Sequence, residues 1–389
     1  MRTGGVGVAT ILNEEILQAA VIGGSFYGGG GGGSPALGMR LGKMALSMSG
    51  STGSGAEVKG LTLVDLDDLP DDAVLLTVSA VGSPAGKGHH AGPEEYARAV
   101  EFFRDQTGRQ VAGLITNECG GLATVNGWIQ SAGTGLPLVD APCNGRAHPT
   151  GIMGSMGLHL IEGYESVQAV VGGSREAGTY LEVLIHGSLD FADGVVRQAA
   201  AHTGGLVAVA RNPVTVSYAR EHNAIGAITR CIQVGKAMLA AHPGEERISR
   251  TAGASRGTVS LRGVVARKTL VSAGGFDTGV LQVESGDESF ELTFWNEYIT
   301  LEKVGLGQPG RLATFPDLIA TLDLDSGDPV SSADVKEGQG IAVVVVPASE
   351  LLLGAGVKDP GLYKAVEETV GKDVIRYVFG NERTGRKAQ

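Results

Sequence analysis

Short apolar runs alternate with helix-forming segments through the first two thirds of the chain. Val111–Thr116 and Leu136–Val139 are apolar runs bounded by glycine or polar residues, which is typical of buried strands. Between them, apolar residues recur at helical spacing from Leu122 to Ile129. Because right-handed crossovers of this kind join parallel strands, the pattern predicts a strand, a helix and a second, parallel strand.

The same alternation continues on both sides of this unit. Asn13 is a predicted N-cap for a helix from Glu14 to about Ile22, with two acidic residues in its first turn. Further helices are predicted at Ala36–Met48, Pro93–Gln106, Ser188–Ala201 and His222–Ala241, and further strands at Leu61–Val64, Val74–Val78, Val167–Val171, Tyr180–Ile185 and Leu206–Ala210.

From about Ser260 the apolar period changes to two, as in Val264–Val271 and Phe290–Phe294, which indicates antiparallel strands. The predicted fold class is an α/β N-terminal domain with a mainly parallel sheet, followed by a β-rich C-terminal domain. A chain of 389 residues exceeds the size at which a single core usually stops growing. We expect an α/β domain at 1–165, a continuation that closes the site at 166–258, and the β-rich domain at 259–389.

Charge and cysteine content narrow the class of partner. The chain carries 42 acidic residues against 31 Lys and Arg, a net charge of −11, which disfavours nucleic acid and anionic membranes and favours a small substrate. Three cysteines suggest free thiols in a reducing cytoplasm rather than a disulfide framework. No signal segment is evident, and the uncharged stretch Ile16–Met39 contains nine glycines, so no membrane span is predicted.

Candidate catalytic residues follow the two strands of the central unit. Glu118-Cys119 and Asp140–Cys143 would lie at the same carboxyl edge of the sheet, where ligands bind in open α/β folds. Glu118 or Asp140 could activate a water molecule if burial raises its pKa, or could simply cap a turn.

Cys143 is the candidate nucleophile, because Arg146 and His148 follow closely and could lower the pKa of its thiol. The alternative is a buried structural cysteine, and the same two possibilities apply to Cys119. Cys231 occupies a core position of a predicted helix and is expected to be buried.

Several other polar groups could bind a ring substrate. Asn117 and Asn144 could hydrogen-bond ring amides, and Arg146 could bind a substrate carboxylate or form an ion pair with Asp140. The adjacent His89 and His90 lie on a glycine-rich loop and are either solvated or part of the site.

The run Gly28–Gly33 predicts a tight loop that either faces substrate, through Gly30, Gly31 and Gly32, or allows close packing. A nucleotide loop is disfavoured, because the following GMRLGKM is one spacer short of a P-loop and lacks its Ser or Thr. Zinc is possible, since Cys119, Cys143, His148 and the histidine pair are suitable ligand types, although their spacing matches no zinc motif.

Six segments in this order resemble one known family: Gly28–Pro35, Leu63–Pro70, Glu118–Gly121, Leu136–Pro149, Asn296–Tyr298 and Phe315–Asp323. Together they make the chain similar to the S-methyl thiohydantoin desulfurase family, formerly a domain of unknown function and often found beside hydantoinase or oxoprolinase proteins. The resemblance implies hydrolytic removal of sulfur from a thiohydantoin-like ring.

Two other functions stay open at this point. One is ring-opening hydrolysis of a hydantoin or lactam, and the other is a non-catalytic subunit of a hydantoinase-type assembly. For the enzyme we expect a small cyclic thio-urea or amide substrate and a homo-oligomer. The sequence indicates no cofactor other than the possible zinc ion, and the resemblance implies a possible hydantoinase-type protein partner.

Overall fold

The computed structural model of the chain describes residues 9–50, 60–82, 91–273, 275–305 and 310–380. These residues form two eight-stranded sheets. The strands of the first sheet are β1 (Thr10–Ile11), β2 (Thr62–Val64), β3 (Val74–Gly82), β4 (Gly113–Thr116), β5 (Leu138–Val139), β6 (Ser166–Gly172), β7 (Leu181–Gly187) and β8 (Leu206–Thr215). The helices of the same part are α1 (Glu14–Tyr27), α2 (Pro35–Gly50), α3 (Pro93–Thr107), α4 (Trp128–Thr134), α5 (Leu189–His202), α6 (Val216–His222), α7 (Ala227–Leu239) and α8 (Glu245–Ser255).

The first sheet has the order β1-β2-β5-β4-β3-β8-β6-β7, and its neighbours β2, β5, β4 and β3 are parallel. Leu114 of β4 pairs with Leu138 of β5, so the predicted strand, helix and parallel strand are confirmed. The other pairs are antiparallel, and β6 runs in the direction of the parallel strands because two antiparallel pairings separate it from β3. The α/β class predicted for this domain is confirmed.

The helix capped by Asn13 is confirmed, but it extends beyond the predicted end at Ile22 to Tyr27. The reason is its contact with α7: a Cβ on Gly23 would lie only 1.9 Å from the carbonyl oxygen of Cys231. Backbone-to-backbone packing of the two helices outweighs the roughly 1 kcal/mol by which glycine disfavours a helix.

Two helices predicted as continuous are interrupted. After β4 a short 3-10 turn precedes α4, and the break falls at Gly127, whose φ is 98°. The helix predicted from His222 is divided into α6 and α7, and α7 begins at Ala227. The carboxylate of Asp140, which is distant in sequence, accepts from the first backbone N–H groups of α7 and so stabilises the start of this helix. Apolar periodicity within residues 222–241 could not reveal such a distant contact.

The second sheet is antiparallel throughout, in the order β13-β12-β11-β10-β9-β16-β14-β15, which confirms the β-rich C-terminal domain. Its strands are β9 (Thr258–Ala273), β10 (Phe276–Ser285), β11 (Glu288–Trp295), β12 (Glu297–Val304), β13 (Gly310–Thr314), β14 (Leu318–Asp323), β15 (Pro329–Val330) and β16 (Gly340–Val346). The last helices are α9 (Tyr363–Val370) and α10 (Ile375–Phe379).

The two sheets are joined by a shared core and by the glycine loop, residues 28–33. Phe26 at the end of α1 packs in one apolar cluster with Leu318 of β14. The backbone N–H of Tyr298 donates to the carbonyl of Gly29 at 2.8 Å, and that of Ser332 donates to Gly30 at 2.9 Å. The C-terminal domain therefore holds the loop in place at the carboxyl edge of the first sheet.

Candidate functional site

The site lies where β4 and β5 end. After β5 the chain turns back over β4, and the backbone N–H of Cys143 donates to the carbonyl of Thr116 at 2.9 Å. The following residues form a loop of short turns up to Gly157, and this loop places His148 against Glu118, the second residue after β4. The expectation that both strand ends contribute to one edge is confirmed by the parallel pairing.

Glu118 and His148 form a buried pair. Glu118 Oε2 lies 3.2 Å from His148 Nε2, and the side chains are 13% and 5% exposed. The backbone N–H of His148 donates to the same carboxyl oxygen at 3.2 Å. His148 Nδ1 lies 2.9 Å from the carbonyl oxygen of Thr150, which can only accept, so Nδ1 carries the ring hydrogen. Nε2 is therefore the unprotonated nitrogen, and no hydrogen bond is made to it.

Burial moves the two pKa values of this pair in opposite directions. It raises the pKa of Glu118 to about 7, although the His148 backbone N–H and the charges of Arg211 and Arg146 oppose the rise. It lowers the pKa of His148 to about 4. Between about pH 4 and pH 7 the carboxyl group is therefore protonated while the imidazole stays neutral. A carboxyl group that titrates near pH 7 can accept or donate a proton in catalysis under ordinary conditions.

Arg146 is completely buried beside this pair. Its Nε donates to the carbonyl of Ala147 at 3.0 Å, and its Nη1 donates to the carbonyls of Pro316 and Asp317. The guanidinium carbon lies 4.6 Å from the ring centre of Phe315, a cation–π contact. Nη2 is buried and has no hydrogen-bond partner.

Glu297, at the start of β12, brings a second carboxyl group to the site. It is 2% exposed, and its Oε2 has no hydrogen-bond partner. Burial and the nearby Glu118 hold the pKa of this carboxyl well above its usual range. The glycine loop receives the side chain: a Cβ on Gly31 would lie 2.0 Å from Glu297 Oε1.

The glycine loop also packs directly on the turn that carries Glu118. A Cβ on Gly32 would lie 2.5 Å from Cα of Gly120. The Gly32 carbonyl accepts from the N–H groups of Leu122 and Ala123, both at 3.1 Å. A side chain at either glycine would separate the two backbones, so this part of the glycine run serves close packing around the site.

The two cysteines do not share a cleft, which corrects the expected arrangement. Cys143 lies on the face of the sheet that carries Ile115, and its Sγ is 3.4 Å from Thr77 Oγ1. Cys119 packs under α1 and α7, in one cluster with Cys231. Both cysteines lie in the turns that follow β4 and β5, and these turns carry the two thiols into different apolar clusters.

The pKa values of the two thiols are raised, not lowered. Burial raises the pKa of Cys143 to about 11, although the contact with Thr77 and the charge of Arg211 oppose the rise. The Cys231 thiol and burial hold the pKa of Cys119 well above its usual range. Neither thiol has the microenvironment of a reactive nucleophile.

Asp140 is a helix cap rather than a partner of Arg146. Its two carboxylate oxygens accept from the backbone N–H groups of Ile228 and Thr229 at 2.8 and 2.9 Å. Of the two alternatives for Arg146, the ion pair with Asp140 is therefore not formed, because the first turn of α7 occupies this carboxylate.

Asn144 and Asn117 differ in whether their side chains remain available to bind a substrate. Asn144 is fully buried, donates to the carbonyl of Arg146 at 2.8 Å and accepts from Gly354 at 3.0 Å, so it fixes the loop. Asn117 is partly exposed beside Glu118, and its Oδ1 accepts from Asn126 at 3.3 Å. Asn117 therefore stays a candidate for substrate contact.

Sequence patterns did not single out Arg211, which lies in β8. It pairs in register with Thr77, and its Nη1 donates to Asp193 Oδ1 at 2.9 Å. Its charge lowers the pKa of Glu118 and that of Cys143, so it faces the site. The strand predicted at Leu206–Ala210 ended just before Arg211, whereas β8 continues to Thr215 and so includes it. Glu297 was noticed only as part of the motif Asn296–Tyr298.

In the part of the chain that the structure describes, no group of three or more His, Cys, Asp and Glu side chains is placed to hold a metal ion. His89 and His90 lie outside the described residues. No described helix has the length and apolar character needed to cross a membrane.

The fold and the site define a two-domain protein in which an α/β domain presents a buried carboxyl–imidazole pair to an antiparallel β domain. Two family models match the chain: "S-Me-THD-like, N-terminal domain" at residues 15–179 and "S-Me-THD-like, C-terminal domain" at residues 188–356. The chain therefore belongs to the S-Me-THD-like family, the S-methyl thiohydantoin desulfurase family indicated by its motifs.

One solved structure has a similar fold. The chain is similar to the crystal structure of a protein from Chromobacterium violaceum, with a TM-score of 0.67 and 21% identity over 92% of this chain and 97% of that one. At this identity the likeness concerns the fold alone. No curated protein matches the chain.

Proposed function

We propose that this protein hydrolyses an S-methyl thiohydantoin or a similar thiohydantoin ring to the corresponding hydantoin. The family supports the class of substrate. The observation that carries the chemistry is the Glu118–His148 pair, because a carboxyl group with a pKa of about 7 can take a proton from water near neutral pH.

In the reaction, water adds to the ring carbon that bears sulfur, and the carbon–sulfur bond then breaks. With an S-methyl substrate, one proton of water ends on ring nitrogen and the other on sulfur, which leaves as methanethiol. With a thioxo substrate, whose ring nitrogen already carries a hydrogen, both protons end on sulfur, which leaves as hydrogen sulfide. Glu118 takes the first proton from the attacking water. His148 orients the carboxyl group through its backbone N–H and keeps its own ring neutral.

Arg146 supports the developing negative charge. Three of its donor contacts go to carbonyl groups, and the stack on Phe315 holds the guanidinium plane, so the free Nη2 is preorganised. Burial lowers its pKa to about 10, which leaves it a cation at neutral pH. A fixed cation in a dry site stabilises a forming oxyanion or nitrogen anion more strongly than it would in water.

The structure also changes the choice of nucleophile. A thiolate mechanism would require one of the two cysteines to ionise near neutral pH, whereas both thiols have raised pKa values. Asp140 is engaged in capping α7. Water activated by Glu118 is the mechanism that agrees with all three placements.

The test is product analysis with purified protein and a synthetic S-methyl thiohydantoin. We expect methanethiol, detected with a thiol-reactive dye, and one equivalent of hydantoin by mass spectrometry. Glu118→Gln should slow the reaction by about 10²- to 10⁴-fold, the range of general acid–base catalysis. Glu165→Gln, at an exposed carboxyl just before β6, is the matched control and should leave the rate unchanged.

Two results would replace the proposal. A product that gains the mass of water and keeps sulfur would mean ring opening at a C–N bond. No turnover together with co-purification of a hydantoinase-type protein would mean a non-catalytic subunit. Sedimentation of the pure chain would test the expected homo-oligomer in the same preparation.

A further inference from the structure

Glu297 is inserted into the site by an unusual backbone turn. Asn296, the residue before it, has a φ of 55°, a conformation that is uncommon for residues other than glycine. The turn is held on both sides: Asn296 exchanges two hydrogen bonds with Asp277, one through its backbone N–H at 2.6 Å and one through its Oδ1 at 2.8 Å. Ser332 Oγ donates to the Asn296 carbonyl. Local strain that the surroundings hold in this way is frequent at functional positions.

The carboxyl group that this turn delivers is incompletely used within the protein. Glu297 Oε2 is buried without a hydrogen-bond partner, and so is Arg146 Nη2. The two groups interact electrostatically, yet neither of these atoms bonds to the other. Leaving a buried polar group unpaired costs about 1–3 kcal/mol, more if it is charged. A bound substrate that hydrogen-bonds to both Glu297 Oε2 and Arg146 Nη2 would explain why the protein leaves these two atoms unpaired.

We propose that Glu297 is the general acid of the reaction and donates the proton that the departing sulfur takes up. This inference rests on the desulfurase function proposed above. It assigns separate roles to the two carboxyl groups: Glu118, paired with His148, takes a proton from water, and Glu297, with no such partner, gives one to sulfur. In many hydrolases two carboxyl groups in different environments act separately, one as the general acid and the other as the general base.

The proton balance closes over one turnover. Glu118 receives one proton from the attacking water, and Glu297 releases one as the carbon–sulfur bond breaks and the thiol leaves. The hydroxyl proton of the adduct passes to ring nitrogen as the carbonyl forms. Transfer of the proton from Glu118 to Glu297 then restores both groups, so no oxidant, reductant or further reactant is needed.

The experiment compares two leaving groups. An S-methyl substrate releases a basic thiolate that needs protonation, whereas an S-(4-nitrophenyl) substrate releases a weakly basic one that does not. Glu297→Gln should lower kcat/KM by at least about 100-fold with the S-methyl substrate and by less than about tenfold with the S-(4-nitrophenyl) substrate. Glu350→Gln, a carboxyl in a surface pair with Arg256, is the control for both.

The outcomes separate the two proposals. Equal losses on the two substrates would overturn the role of Glu297 as proton donor while leaving the desulfurase function standing. If wild-type protein releases thiol from neither substrate, the desulfurase function itself fails, and the role of Glu297 fails with it.

A second measurement applies if the variant does not fold. The charged groups that face Glu297 are Glu118 and Arg146. The wild-type rate with the S-methyl substrate should fall at high pH as Glu297 loses its proton, and this decline should be absent with the S-(4-nitrophenyl) substrate. The same high-pH decline with both substrates would overturn the assignment.

Discussion

Oε1 of Glu297 lies 2.0 Å from the position that a Cβ on Gly31 would occupy. The two residues come from different domains, and the glycine leaves the space that the carboxyl group fills. The contact joins the glycine loop to the start of β12, where the second carboxyl group enters the site. Both the packing between the two domains and the position of the Glu297 carboxyl therefore depend on the absence of a side chain at Gly31.

Gly31→Ala should therefore impair activity more than stability. The added methyl must displace the Glu297 carboxyl, and overpacking of this kind costs about 1–3 kcal/mol. We expect a loss of at least about tenfold in kcat, measured by thiol release, with a folded protein by circular dichroism. Gly253→Ala, in α8 with nothing within 4 Å of the added Cβ, is the matched control and should be neutral or slightly stabilising. Equal activity of the two variants would contradict this prediction.

Glu118→Gln should stabilise the protein above neutral pH. The folded-state pKa of the carboxyl is raised from 4.5 to about 7, so its favourable contribution is complete below pH 4.5 and is lost as the pH rises through 7. At about 1.4 kcal/mol per pKa unit, the ionised carboxyl destabilises the fold by on the order of 3 kcal/mol above pH 8. Urea unfolding should show nearly equal stability at about pH 4 and a more stable variant at about pH 8.5. A difference that does not grow with pH would refute the buried-carboxyl argument.

Cys143→Ala should remain folded and active. The thiol is buried and its pKa is raised to about 11, so almost no thiolate exists at neutral pH. Iodoacetamide should leave thiol release unchanged, and the loss of the contact with Thr77 should reduce stability by about 1 kcal/mol. Cys231→Ala, another buried thiol, is the control. Inactivation by iodoacetamide that substrate prevents would restore the cysteine nucleophile.

Asp140→Ala should lower stability without changing the chemistry of the folded molecules. The substitution leaves two backbone N–H groups of α7 without acceptors, each at about 1–3 kcal/mol. Asp140→Asn keeps one acceptor and should lie between wild type and Asp140→Ala in the midpoint of urea unfolding. A 100-fold fall in kcat for Asp140→Asn, with little change in stability, would instead identify Asp140 as a base.

The helices and strands of this protein can be predicted from the sequence because capping residues and apolar periodicity act over a few neighbouring positions. Asn13 caps α1 three residues away, and the switch of apolar period from 3.6 to two separates the α/β domain from the β domain. The apolar runs that end at Thr116 and Val139 likewise place Glu118 and Asp140 at one sheet edge, because a crossover between them makes the strands parallel. Family membership was also readable, since six ordered segments carry it.

The roles of the side chains at that edge required the tertiary structure. Cys119 and Cys143 follow two neighbouring strands but pack in different apolar clusters. Asp140 is engaged by a helix that begins 87 positions later in the chain, at Ala227. Glu297 reaches Gly31 only because the start of β12 packs against the glycine loop of the other domain. The pKa of Glu118 depends on how completely these distant segments exclude water. Desolvation and long-range contacts leave no periodic pattern in the sequence. The sequence by itself therefore determined the secondary-structure elements and the family. Only the packed structure decided which carboxyl groups are buried, with raised pKa values, at the site.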